Sequence, residues 1–83
     1  MEKRLVLTPE RLRCFNKMRG ATIKVYLCLL YVSENGVVRI DGALKDGLCL
    51  EHGFPLNTLN NAITEMNRAG VIRKTGKGKT YEI

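Results

Sequence analysis

The spacing of apolar residues changes several times along this chain, and each change marks an element. Thr8-Pro9-Glu10 opens a first helix: Thr can cap it, Pro suits its first turn, and Glu complements its positive end. Leu12, Phe15 and Met18 recur at i, i+3 and i+6 as one apolar stripe, so the helix is predicted to run to about Met18 and stop at Gly20. Arg11, Arg13, Lys17 and Arg19 take most of its remaining surface. A second helix is predicted from about Ala21 to Glu34, ending at Asn35-Gly36, a pair suited to left-handed backbone. It is apolar nearly all round (Ile23, Val25, Tyr26, Leu27, Cys28, Leu29, Leu30, Tyr31, Val32), which requires burial on two sides or a central place in the fold. A purely internal role and a share in a homodimer contact both fit that pattern.

The period then shortens. Val37-Val38-Arg39-Ile40 is a β-branched run and reads as a strand. Asp41 offers a cap to a third helix with Leu44 and Leu48 among its apolar positions, weakened by Gly42 and Gly47 and ended by Gly53. Pro55 sits near the start of a fourth helix, where its missing N–H does no harm; the helix runs to about Ala69, and Gly70 is its stop. Leu59, Ala62, Ile63 and Met66, at i, i+3, i+4 and i+7, form its buried stripe. Its other face carries Asn57, Asn60, Asn61, Thr64 and Arg68, with Leu56 and Thr58 near its start. Val71 to Lys74 and Lys79 to Ile83 then form two hairpin arms around Thr75-Gly76-Lys77-Gly78. Ile72, Tyr81 and Ile83 are expected to point to the core.

Charge sharpens this picture. The 83 residues make one domain (1–83), 45% hydrophobic, with net charge +6. Residues 1–24 carry seven Lys/Arg against Glu2 and Glu10. Residues 25–67 carry only Arg39 and Lys45 against five acids, and residues 68–83 carry Arg68, Arg73, Lys74, Lys77 and Lys79 against Glu82. Two basic ends around an acidic middle suit an acidic partner such as nucleic acid. No signal peptide is expected, and the longest apolar run, Val25 to Val32, is too short to cross a bilayer, so no membrane association is predicted. Three cysteines (Cys14, Cys28, Cys49) cannot all pair within one chain, which points to a reduced, cytoplasmic setting.

Two features carry candidate chemistry. Short side chains such as Asn and Thr can enter a major groove: Asn can pair bidentately with adenine N6 and N7, and Thr can meet the thymine methyl. A merely solvated helix face is the alternative, but Lys, Glu or Gln would favour a helix more than Asn does. The first three turns of that face lack Lys and Arg, so affinity must come from elsewhere. Arg73, Lys74, Lys77 and Lys79 surround the hairpin tip, where they can lie along phosphates or enter a minor groove; a plain solvated hairpin is again the alternative. The Gly-Lys-Gly tip joins two strands and is not a phosphate-binding P-loop.

Cys49-x-x-His52 invites a metal reading, but no second close pair completes a zinc site. Cys49 is expected in a small packed position and His52 in a half-buried one. No paired carboxylates stand out, so no enzyme, metal, cofactor or small-molecule ligand is expected.

Taken in order, residues 37–83 resemble the winged helix-turn-helix of MarR-type transcription regulators and of phage and plasmid replication initiators. Leu48, Cys49, Gly53 and Phe54 match its pattern of large apolar, small, turn glycine and apolar. Thr58-Leu59-Asn60-Asn61-Ala62-Ile63 matches the recognition-helix core, and Met66 with Ala69-Gly70-Val71-Ile72 matches its ending. The chain departs from the pattern at Pro55, where the family usually has Ser, and at Leu56, where a basic base-reader is common.

The resemblance implies an α+β fold, mainly helical with a small antiparallel β-hairpin wing. The helix-turn-helix would span about residues 42–69 and the wing about 71–83. It also implies that Leu56, Asn57, Thr58, Asn60, Asn61 and Thr64 contact bases. The expected function is sequence-specific binding of double-stranded DNA, as a transcriptional regulator and as a homodimer on a two-fold operator. The dimer contact would use either a strand added by Leu5-Val6-Leu7 or the second helix. A replication or partition factor of a virus or plasmid and a winged-helix protein-docking module are the alternatives.

Overall fold

The computed structural model describes residues 8–76 and 78–83. Helix α1 (Pro9–Cys14) is capped by Thr8, whose Oγ1 accepts the Arg11 N–H at 3.2 Å. It is shorter than predicted: the chain tightens into a 3₁₀ turn over Phe15–Lys17 and becomes extended at Met18. A 3₁₀ turn advances more per residue than an α-helix, so the predicted stripe splits. Met18 is buried, and Phe15 meets Tyr26 edge-on at 6.1 Å. Leu12 is instead left 49% exposed.

Helix α2 (Gly20–Val32) ends earlier than predicted, with Ser33 already extended and its hydroxyl donating to the Leu30 carbonyl at 2.7 Å. Asn35 and Gly36 do adopt positive φ, at 54° and 74°. They form a two-residue turn rather than a helix stop: Glu34 and Val37 exchange backbone hydrogen bonds of 2.8 and 3.0 Å across them. Two successive left-handed residues match the twist of a hairpin, which explains why the pair serves there.

Strand β1 (Val37–Arg39) leads to helix α3 (Gly42–His52). Asp41 caps α3 as predicted, its Oδ1 accepting the Leu44 N–H at 2.9 Å, and Gly53 ends it at φ 71°. A three-residue turn separates α3 from helix α4 (Leu56–Arg68), and Pro55 is the N-cap of α4. At the far end of α4 the Val71 N–H donates to the Met66 carbonyl and the Gly70 N–H to Asn67, with Gly70 at φ 77°. That is the glycine-closed helix end of the Schellman type.

Strands β2 (Arg73–Lys74) and β3 (Thr80–Glu82) form the hairpin, in register Arg73↔Glu82 and Lys74↔Tyr81. The sheet has a third member: β3 also pairs antiparallel with β1, in register Val38↔Tyr81, giving the order β1-β3-β2. The Ile40 N–H donates to the Lys79 carbonyl and the Ile83 N–H to Gly36, extending that pairing at both ends. The described residues thus form an α+β arrangement of four α-helices and a three-stranded antiparallel sheet.

The core lies between α2, α4 and the sheet. Val25, Tyr26 and Leu29 of α2 pack with Leu59 and Met66 of α4 and with Ile72, each at most 1% exposed. Burying a side chain of this size contributes about 1.5–3 kcal/mol. Tyr81 and Ile83 pack against this cluster half-buried, and Ile72 enters it fully. Across the α2–α4 contact the buried Thr22 hydroxyl donates to Glu65 Oε2 at 3.1 Å. No described helix is long and apolar enough to cross a membrane.

Candidate nucleic-acid interface

Helix α4 is divided sharply between its faces. Leu59, Ala62, Ile63 and Met66 are all buried, as the period predicts. Asn57, Asn61, Thr64 and Arg68, spaced i, i+4, i+7 and i+11, run down the exposed side as one polar stripe. Leu56 stands beside its first turn, 51% exposed. Thr58 and Asn60 are half-buried flank positions, so of the candidate base-reading residues they are the least accessible. Asn67 is exposed as well, although its sequence position gives no sign of a role.

The hairpin presents its cations less uniformly than the sequence suggests. Lys74 and Lys79 are exposed. Arg73 is exposed too, but its Nη2 lies 3.2 Å from Glu82 Oε2, directly across the strand pair. Its charge is therefore partly answered within the protein. The closing loop is held by the Thr75 N–H donating to the Thr80 carbonyl at 3.0 Å, with Gly76 and Gly78 at positive φ. Lys77 lies outside the described residues, as does the strand expected at Leu5-Val6-Leu7.

Pairing of β1 with β3 brings a further cation beside the loop end of the hairpin. Arg39 lies opposite Thr80, and its Nε is 3.2 Å from Asp41 Oδ2. The Leu44 N–H, then the Arg39 and Lys79 charges, hold the Asp41 carboxyl below the usual carboxylate range. Asp41 thus caps α3 and tethers Arg39 together.

A depression of about 410 Å³ opens beside the polar stripe, lined by Arg19, Asn61, Thr64, Glu65 and Arg68. Arg19 comes from the residue capping α2, outside the helix-turn-helix. Five cations between Arg11 and Lys24 look alike in sequence, so only the packing of α2 on α4 distinguishes it.

The Cys49/His52 region is arranged for packing. Cys49 is half-buried against the core, whereas His52, expected to be half-buried, is exposed beside Phe54 at 6.0 Å between ring centroids. Leu50, Glu51 and His52, the last three residues of α3, are all exposed. Among the described residues no group of three His, Cys, Asp or Glu side chains could hold a metal ion. Burial, and secondarily Glu51, push the Cys28 thiol up, which keeps it protonated and weakly nucleophilic. On the other side of α2, Leu27, Cys28, Tyr31 and Val32 form an apolar hollow of about 300 Å³ with Leu48, Glu51 and His52. Compared with known proteins, the chain matches no protein-family model, no curated protein and no solved structure.

Proposed function

We propose that this protein is a sequence-specific double-stranded DNA-binding protein of the winged helix-turn-helix type, acting as a cytoplasmic transcriptional regulator without enzymatic activity. In this reading α4 enters the major groove, and the β2–β3 hairpin lies on the phosphate backbone or in the minor groove. The observation that carries it is the stripe Asn57-Asn61-Thr64-Arg68: three short hydrogen-bonding side chains and an arginine aligned over three turns of a helix whose opposite face is buried. The exposed Lys74 and Lys79 on the hairpin that follows supply sequence-independent attraction. A base-reading surface this small suits a homodimer. The apolar hollow beside α2, with Tyr31 51% exposed, supports that helix as the contact.

Fluorescence anisotropy with random-sequence duplex DNA, titrated with salt, tests the reading. Log affinity is expected to fall linearly with log salt, with a slope reflecting about six to eight neutralised phosphates. Absence of binding at low salt would reject it. The second reading, a protein-docking module, is favoured by Leu50 and Leu56, 87% and 51% exposed at the two sides of the helix–helix turn. A partner retained at high salt, with no DNA shift at low salt, would establish that alternative.

A further inference from the structure

The depression between the start of α2 and the second half of α4 brings two arginines from different elements to one hollow. Arg13, Arg39 and Arg73 each have a carboxylate within 4.0 Å, at 3.9, 3.2 and 3.2 Å. Arg19 and Arg68 are both exposed, line the same depression, and form no ion pair among the described residues. Glu65 is the only carboxylate there, and one of its oxygens accepts the buried Thr22 hydroxyl at 3.1 Å. That bond ties the carboxylate to α2. The first turn of α2 adds to the positive potential, having neither a side-chain cap nor an acidic residue. Asn61 and Thr64 complete the lining with neutral hydrogen-bonding groups. With Glu65 counted, the two arginines leave the lining one positive charge in excess, which an incoming anion would offset. A planar guanidinium suits phosphate oxygens in particular.

The geometry points to Arg19 and Arg68 as a clamp on one backbone phosphate of the bound duplex. This inference rests on the DNA-binding reading above and adds to it a contact from α2, outside both the helix-turn-helix and the hairpin. Because Asn61, Thr64 and Arg68 belong to the depression and to the polar stripe alike, a phosphate held there would fix how far α4 enters the groove. The clamp is then a positioning device: it carries no sequence information and sets the register in which the Asn side chains read bases.

The test uses the whole chain and a duplex of random sequence, with anisotropy followed across salt concentrations. Arg19→Gln is expected to lower the magnitude of the salt slope by about 0.9 and to weaken binding about eightfold at ~0.1 M salt. Arg68→Gln should do the same. The double variant should lose little more than either single one, because both side chains hold a single phosphate. Lys24→Gln removes the same charge from a different depression, lined by Leu27, Cys28, His52, Gly53 and Phe54, and should reduce the slope less. Thermal melts of all four variants check that exposed-site changes leave the fold intact. Wild-type binding combined with an unchanged slope in Arg19→Gln would overturn the clamp and leave the DNA reading standing. Additive losses in the double variant would overturn the shared phosphate. Failure of the wild-type chain to bind duplex DNA at all would remove both.

Discussion

Glu82→Gln should move stability and DNA affinity in opposite directions. Glu82 Oε2 lies 3.2 Å from Arg73 Nη2, and the two residues face each other in the β2–β3 register. Their side chains are 53% and 76% exposed, so water and salt screen the pair. At this separation two unit charges attract by about 1.3 kcal/mol in bulk water. Ordering two exposed side chains offsets most of that, and cross-strand pairs of this kind contribute roughly 0.2–1 kcal/mol. The substitution keeps the shape of the side chain and removes its charge. A loss of up to about 1 kcal/mol should lower Tm by no more than roughly 4–8 °C, read by circular dichroism. On the proposed DNA-binding reading, Arg73 is then freed to meet phosphates, and one negative charge leaves the hairpin. Affinity should rise by up to about fivefold at low salt, the counterpart of the pair's own free energy, and the salt slope should steepen by up to about 0.9. An unchanged affinity and slope, alongside a lowered Tm, would refute the reasoning: the pair would be real, and the hairpin would face away from the DNA.

Other outcomes follow from the same geometry. Leu59→Ala, at a fully buried position on α4, should cost about 2–5 kcal/mol in urea unfolding. Asp41→Ala should lower the urea midpoint, because the capping bond to the Leu44 N–H and the tether to Arg39 both go. The Asp41 carboxyl titrates lower folded than unfolded, so its contribution is present above the unfolded-state value and lost as pH falls through the folded one. The wild type's margin over Asp41→Ala should therefore shrink in acid, below the ordinary Asp value of about 3.9. Asn61→Ala should lose discrimination at particular bases by ~1–3 kcal/mol, measured against a panel of single-base variants of a selected site. Lys77→Ala should weaken binding to all sequences about equally and reduce the salt slope, and a base-specific loss there would contradict the assignment.

Much of the local structure could be read along the chain, because local rules govern it. Asp41 caps the third helix, Gly53 and Gly70 close helices in left-handed conformations, and Leu59, Ala62, Ile63 and Met66 form a buried stripe; each depends on residues within one or two turns. The polar stripe of α4 was legible for the same reason, since burying one face of a helix leaves the other exposed. Where two local solutions compete, the pattern was ambiguous. Asn35-Gly36 suits a helix stop and a hairpin turn equally, and the choice fell to pairing of β1 with a strand more than forty residues away. Leu12 fits an apolar stripe, and the 3₁₀ turn at Phe15 turned it outward.

The sequence by itself determined the order of elements, the faces of the helices and the two basic ends, because propensity, capping and periodicity act over a few residues. Tertiary structure alone decided that β3 lies between β1 and β2, that Glu82 answers Arg73, and that Arg19 shares a hollow with Arg68. The first and last are contacts between residues distant in the chain, and the second depends on the register of the hairpin. They arise when α2 packs on α4 and the sheet closes, and no short-range spacing encodes which cation among several near neighbours ends beside which partner.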